Sequence, residues 1–299
     1  TNLCGALEFS EKISKIGTQP IIGTQINFKY SDTIGLLPLF ALNDSGYKRI
    51  IKLSSLSYLE NDELSDPHLM FDELLKDNEG VGIFSGTVLG LFGQLFDKGK
   101  FSEILELYKK LKFSFGDRFY LEIQRHNDQN EKGFEKFNLK KSLELEIPII
   151  ATNEVFYINK DMHEAHDALI CIGHKTYINE KSRIRFSDQH YLKSNSEMLE
   201  LFADLPEALE NNYNFPLRCS FRPLYSNPIL PNISSEKGGN ADDILKIDSL
   251  NGLKIKFEKI FGIKTMDLEK DTTFVEYKDR LDHELSIIIE MKYSSYFLI

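Results

Sequence analysis

Cysteine is scarce in this chain. Cys4, Cys171 and Cys219 are the only three in 299 residues, widely separated and without a CxxC pair. Such usage excludes a disulfide framework or a zinc ribbon and fits a reducing cytoplasm. Long apolar runs are also missing, as is a basic-apolar-small pattern at the start. Neither a membrane span nor a signal peptide is therefore expected. Positive charge is short too: 36 Lys and Arg face 46 Asp and Glu, for a formal net charge of −10. Neutralising phosphates rewards a basic surface, so the main grip on DNA is not expected in these residues. Gly80, Gly82, Gly86, Gly90 and Gly93 cluster but form neither GxGxxG nor GxxxxGK[ST], so no phosphate cradle is expected. Ser85-Gly86-Thr87 lacks the Gly-x-Ser-x-Gly spacing of a nucleophile elbow.

What is present is a chain of ordinary globular composition, 41% apolar and 27% charged, long enough for one large or two moderate domains. Strand and helix patterns alternate through the first two-thirds. The sequence predicts helices over 3–16, from Asp44 onward, near 88–96, and over 101–111, 133–145 and 163–172. Strands are predicted over 20–28, 36–42, 81–85, 119–123 and 148–151. This α/β alternation favours a parallel sheet or a barrel. Near residue 215 the pattern changes. Phe215-Pro216, Arg222-Pro223, Asn227-Pro228 and Leu230-Pro231 argue against regular helix, and Ser234–Asn240 reads as a polar linker. A domain boundary is placed in Pro228–Gly239, followed by helices over 242–261 and 273–292. The second of these helices carries Leu281, Leu285, Ile288 and Ile289 on one face. Thr1-Asn2-Leu3-Cys4-Gly5 and Tyr296-Phe297-Leu298-Ile299 both read as cut ends.

Three clusters are candidates for chemistry. His163 and His166 are three apart at a helix start and share a face. No third ligand stands at helical spacing, so the expectation is Asp161 capping the helix and the histidines bonded to backbone or solvent. Glu122, Arg125 and His126 end a predicted strand, where barrels and doubly wound folds place their sites. Both a functional role and a simple Glu122–Arg125 ion pair in a loop stay open there. The acidic stretch Glu60–Asp66 reads as a solvated loop.

The segment Ile150-Ala151-Thr152-Asn153-Glu154-Val155-Phe156-Tyr157, followed by Ala165-His166-Asp167, resembles a signature of the PHP domain of bacterial DNA polymerase III alpha subunits. Further ordered matches run the length of the chain. Gln19-Pro20-Ile21-Ile22-Gly23 is similar to the family's "KPIIG" strand, and Asn43-Asp44-Ser45-Gly46-Tyr47 to its "N-x-x-GY" helix start. Asp117-Arg118-Phe119-Tyr120-Leu121-Glu122 with Arg125-His126 resembles "DRFYLEL-x-RH". Glu200–Ala208 resembles "ELFADLPEAL", and Tyr296–Ile299 "GYFLI".

The resemblance implies a distorted (β/α) barrel lacking its first strand over residues 1–230, then a linker and the opening helices of a polymerase palm over 231–299. The polymerase centre and its Mg2+ would lie outside the chain. The family's PHP metal ligands fall at Gln25, about Leu36, Thr87, Glu154 and Phe156, where metal-binding members have Glu, His, Cys, Asp and His. Only Glu154 keeps a strong ligand, so the expectation is a hydrolytically inactive domain with no catalytic, cofactor or metal residues. Leu36 and Phe156 are expected to fill the former metal cavity as core. The implied partners are a proofreading exonuclease subunit and, through the intact protein, the sliding clamp, the clamp loader and DNA. An error-prone alpha homologue and a stand-alone PHP phosphatase are the alternatives. Ile299, where the error-prone form commonly has Thr, weighs against the first, and the helices after Pro231 weigh against the second.

Overall fold

A computed structural model describes residues 2–61, 65–226, 240–262 and 268–299. The chain divides into two compact units, Thr1–Tyr225 and Ser226–Ile299. The expected linker at Pro228–Gly239, and part of the acidic stretch Glu60–Asp66, lie outside the described residues.

Six strands form the sheet of the first unit, in the order β3-β1-β2-β4-β5-β6. They are β1 (Gly23–Tyr30), β2 (Thr33–Ala41), β3 (Leu69–Met70), β4 (Val81–Phe84), β5 (Phe119–Ile123) and β6 (Ile149–Ala151). The sheet is mixed, not wholly parallel. β1 and β2 are antiparallel, with Tyr30 opposite Thr33, and β2 is also antiparallel to β4. A two-residue turn cannot carry a parallel crossover, and Ser31, at a φ of 55°, supplies the left-handed position the tight turn needs. β4, β5 and β6 run parallel and are buried at every residue, as near-continuous apolar strands covered on both faces should be. β1 alternates instead. Ile26 and Phe28 enter the core while Gln25 and Asn27 face the other way, with Gln25 opposite Pro38 and Asn27 opposite Leu36.

Nine helices accompany the sheet among the described residues: α1 (Ala6–Lys15), α2 (Asp44–Leu59), α3 (Phe71–Leu74), α4 (Leu91–Asp97), α5 (Phe101–Phe115), α6 (Glu131–Leu145), α7 (His163–His174), α8 (Asn195–Leu201) and α9 (Pro206–Leu217). The start of α2 is set by Asn43, whose side chain accepts from the Gly46 N–H. α5 buries Ile104, Leu107, Tyr108, Leu111 and Phe115, one stripe at helical spacing. Tyr108 donates its hydroxyl to Asn138 of α6 at 2.9 Å, so its buried oxygen is satisfied.

The proline argument against helix near residue 215 fails at Pro216. It sits in the last turn of α9, so only one N–H bond near the helix end is lost, and the amides of Arg218 and Cys219 bond to the Phe215 and Pro216 carbonyls. Packing supplies the rest: Phe215 meets Phe40, Phe84 and Tyr120 edge-on at 4.8–5.5 Å. Asn211 of α9 donates to the Ile149 carbonyl at 2.8 Å, covering the β6 edge. α3, α8, α9 and β3 had no counterpart among the predicted elements.

The second unit holds α10 (Ala241–Phe261), α11 (Thr272–Glu290) and α12 (Ser294–Phe297). Asn240 and Asp271 cap the first two with side-chain oxygens. Phe257, Leu268 and Phe274 form its small core. On α11, Leu285 is buried and Leu281, Ile288 and Ile289 are half-buried, matching the predicted face.

Candidate functional site

The segments after β4 and β6 and the β1–β2 hairpin converge on one cavity of about 260 Å³. Gln25, Leu36, Thr87, Glu154 and Phe156 all line it, together with Phe186. Five positions spread over 132 residues of sequence, those at which the resemblance led one to expect the metal ligands, thus line one cavity. Strand alternation presents Gln25 and Leu36 from the same face of the hairpin. Gly86, at a φ of +80°, lets the chain after β4 turn and deliver Thr87. The donor set is one carboxylate, one amide and one hydroxyl, with two hydrocarbon side chains where imidazoles would stand. Hard divalent ions in catalytic pairs need several anionic oxygens or imidazoles.

The expectation that Leu36 and Phe156 have become core is corrected. Both are half-buried and border an open cavity rather than filling it. Phe156 is held by stacking: its ring lies 4.7 Å from that of His190 (interplanar 17°) and 5.1 Å from that of His166 (12°). Phe156→Ala is therefore expected to cost about 1–2 kcal/mol, below the roughly 3–5 kcal/mol of a fully buried Phe. A urea denaturation midpoint measures it, and a loss at the core value would mean that the ring is enclosed after all.

Glu122 and Arg125 do not pair. Three residues apart on an extended segment, they leave opposite faces. Glu122 is 6% exposed. Its Oε1 accepts from the Thr152 hydroxyl and from Gln124 Nε2, while Oε2 has no partner. Burial pushes its carboxyl up to about 7, with the hydrogen bond from Thr152 opposing and the nearby Glu154 charge adding to the rise. Arg125 turns away to Glu135 (2.6 and 3.1 Å), Asp204 (2.6 and 2.8 Å) and the Leu201 carbonyl (2.7 Å). Its guanidinium also sits 4.9 Å over the Phe202 ring. This is a structural clamp. Ser85, next to the apparent Gly-rich run, accepts from the Glu122 N–H at 2.9 Å and is fully buried.

His163 Nε2 lies 3.0 Å from the Phe186 carbonyl. His166 stacks on Phe156, and burial, followed by the neighbouring His190 and His163, holds its pKa down. Asp161 lies in a short 3-10 turn, Lys160–Met162, and α7 has no side-chain cap. Asp167, on α7, is engaged by Arg183 at 2.7 Å. Sequence reasoning missed Asp128 and His190, which come together around His126. All three lie within 4.8 Å ligand to ligand, and the two imidazoles stack at 4.1 Å. No linear signal joins them.

The residues 1–126 match the family model of the PHP domain. Along its whole length the chain is similar to proteins named DNA polymerase III subunit alpha: 38% identical to that of Rickettsia conorii, 36% to that of Rickettsia bellii and 34% to that of Caulobacter vibrioides. The alignments cover all of this chain but 25–26% of those proteins, so the chain spans about a quarter of their length. No described helix is long and apolar enough to cross a membrane. The chain thus carries a match to the PHP domain over residues 1–126 on a mixed α/β sheet, and along its whole length it is similar to about a quarter of the length of DNA polymerase III alpha subunits.

Proposed function

We propose that this chain is the PHP-bearing part of a replicative DNA polymerase III alpha subunit, a cytoplasmic protein that extends primers on a template. In this reading its PHP domain no longer hydrolyses. The observation that carries the second point is the cavity itself, where the family's ligand positions meet with Glu154 as their one carboxylate. Gln25 and Thr87 are weak ligands, Leu36 and Phe156 none, and such a set does not hold two or three divalent ions. Polymerisation belongs to the parent polypeptide, with Mg2+ held by carboxylates beyond these residues. A domain without its chemistry serves as a platform, and the partner it would carry is a proofreading exonuclease subunit. The net charge of −10 supports a protein partner over DNA as its main ligand.

The parent polypeptide is expected to extend a primed template with Mg2+ and to lose nothing when Glu154 is replaced by Gln. Metal analysis after dialysis is expected to find no di- or trinuclear centre, and Phe156→His alone to restore no nuclease activity. Two or three ions per chain bound through Glu154 would sink the inactive reading. In a pull-down against the cognate exonuclease and against single-stranded DNA, retention of DNA alone would sink the docking reading.

A further inference from the structure

Three side chains that can each offer a ligand atom, His126, Asp128 and His190, meet beside the cavity within 4.8 Å of one another. His190 is 1% exposed, and its Nδ1 lies 3.1 Å from the Glu154 main-chain carbonyl, an oxygen that can only accept. The other ring nitrogen, Nε2, faces the Asp128 carboxylate at 3.2 Å, and Asp128 is itself mostly buried. That spacing is the one of two ligands on one tetrahedral ion, about 3.3 Å apart for bonds of roughly 2.0–2.1 Å.

The surroundings supply what a metal-binding imidazole ordinarily has. An N–H donated to a fixed oxygen orients the ring and sets its tautomer, and here the Glu154 carbonyl does so. The backbone holds the residue: the His190 carbonyl accepts from the Phe156 N–H at 2.9 Å. His190 is sandwiched between Phe156 and the ring of His126, which lies 4.1 Å away at 8°. His126 is 1% exposed and brings a second imidazole within reach. Its Nε2 is bracketed by Asn153 Oδ1 (3.0 Å) and the Glu154 N–H (3.2 Å), and its Nδ1 lies 3.5 Å from the Glu131 carboxylate.

We propose that His190, Asp128 and His126 form a mononuclear site for a divalent transition metal ion of the zinc class. Two imidazoles and one carboxylate are a zinc-like donor set, with a fourth position left to water. The parallel rings would tilt toward the ion on binding. Such an ion would tie the segment after β5 to the segment after α7 and stiffen one wall of the cavity. It uses none of the side chains at the family's ligand positions, so it stands apart from the question of whether that cavity is inactive.

The test is zinc binding by the purified chain, titrated against a chelator of known affinity, with Co2+ as a spectroscopic substitute. One zinc per chain is expected, with a Co2+ visible spectrum of mixed nitrogen and oxygen ligation. Asp128→Asn, which keeps shape, and His190→Ala should each weaken zinc by at least about tenfold, while Glu154→Gln leaves affinity unchanged. If His190→Ala fails to fold, Asp128→Asn and the Co2+ spectrum decide. Absence of zinc binding, binding that ignores Asp128→Asn, or binding abolished by Glu154→Gln would each overturn the proposal. So would nitrogen NMR showing both nitrogens of His190 protonated in the presence of excess zinc, because a proton would then satisfy the pair instead.

Discussion

Replacing Arg125 by Met should destabilise the first unit by roughly 2–4 kcal/mol, the largest single loss expected on its surface-facing side. Arg125 holds Glu135 of α6 and Asp204, just beyond α8, in two bidentate pairs, and it caps the Leu201 carbonyl. The two acids are not equivalent. Asp204 is 64% exposed and returns to water at little cost, so its share is that of a surface pair. Glu135 is 15% exposed beside an Arg125 that is 20% exposed, and stripping its partner leaves a largely desolvated charge. Methionine keeps the stem against Phe202 and removes only the fork. Equilibrium urea denaturation measures the loss. A cycle with Glu135→Gln should show at least about 1 kcal/mol of coupling; additive single effects would mean that the clamp carries no energy of its own.

Glu122→Gln should stabilise the protein above neutral pH and leave it nearly unchanged in mild acid. The carboxyl is buried with one oxygen unpartnered, and its pKa rises from an ordinary 4.5 to about 7. For an acid raised by folding, the native state holds more protons than the unfolded state between those values. The associated stability is complete below about pH 4.5 and is lost as pH rises through 7. At about 1.4 kcal/mol for each pH unit, the loss across that window is roughly 3 kcal/mol. Glutamine keeps the shape and cannot ionise. The check is the difference between wild-type and variant urea midpoints from pH 5 to 8.5, which should widen with pH. Parallel curves would place the carboxylate in contact with water or a cation.

Much of the fold was legible because periodicity is a local property. The apolar stripe of α5 and the short apolar runs at β4, β5 and β6 each declare one element, since burial on one stripe or on both faces dictates which positions are apolar. The antiparallel β1–β2 pair was not legible: the predicted strands 20–28 and 36–42 stood seven residues apart, and alternation with helices argued for a parallel sheet. α9 was hidden by Pro216, whose local penalty is offset by a contact with Phe40, Phe84 and Tyr120 that no local window contains.

The site divides the same way. The sequence by itself determined which donors could be present: Phe156 and Leu36 offer a metal nothing, whatever the fold does with them. That Gln25, Leu36, Thr87, Glu154 and Phe156 belong together was readable through ordered family motifs, and no spacing among them says so. Only the tertiary structure decided that Phe156 is stacked between two imidazoles beside an open cavity, that Glu122 is buried away from Arg125, and that His126 and Asp128 meet His190 from beyond α7. The reason is physical. Side-chain chemistry is carried by each residue, whereas desolvation, stacking and ligand geometry depend on which distant segments the packed sheet brings within a few ångströms.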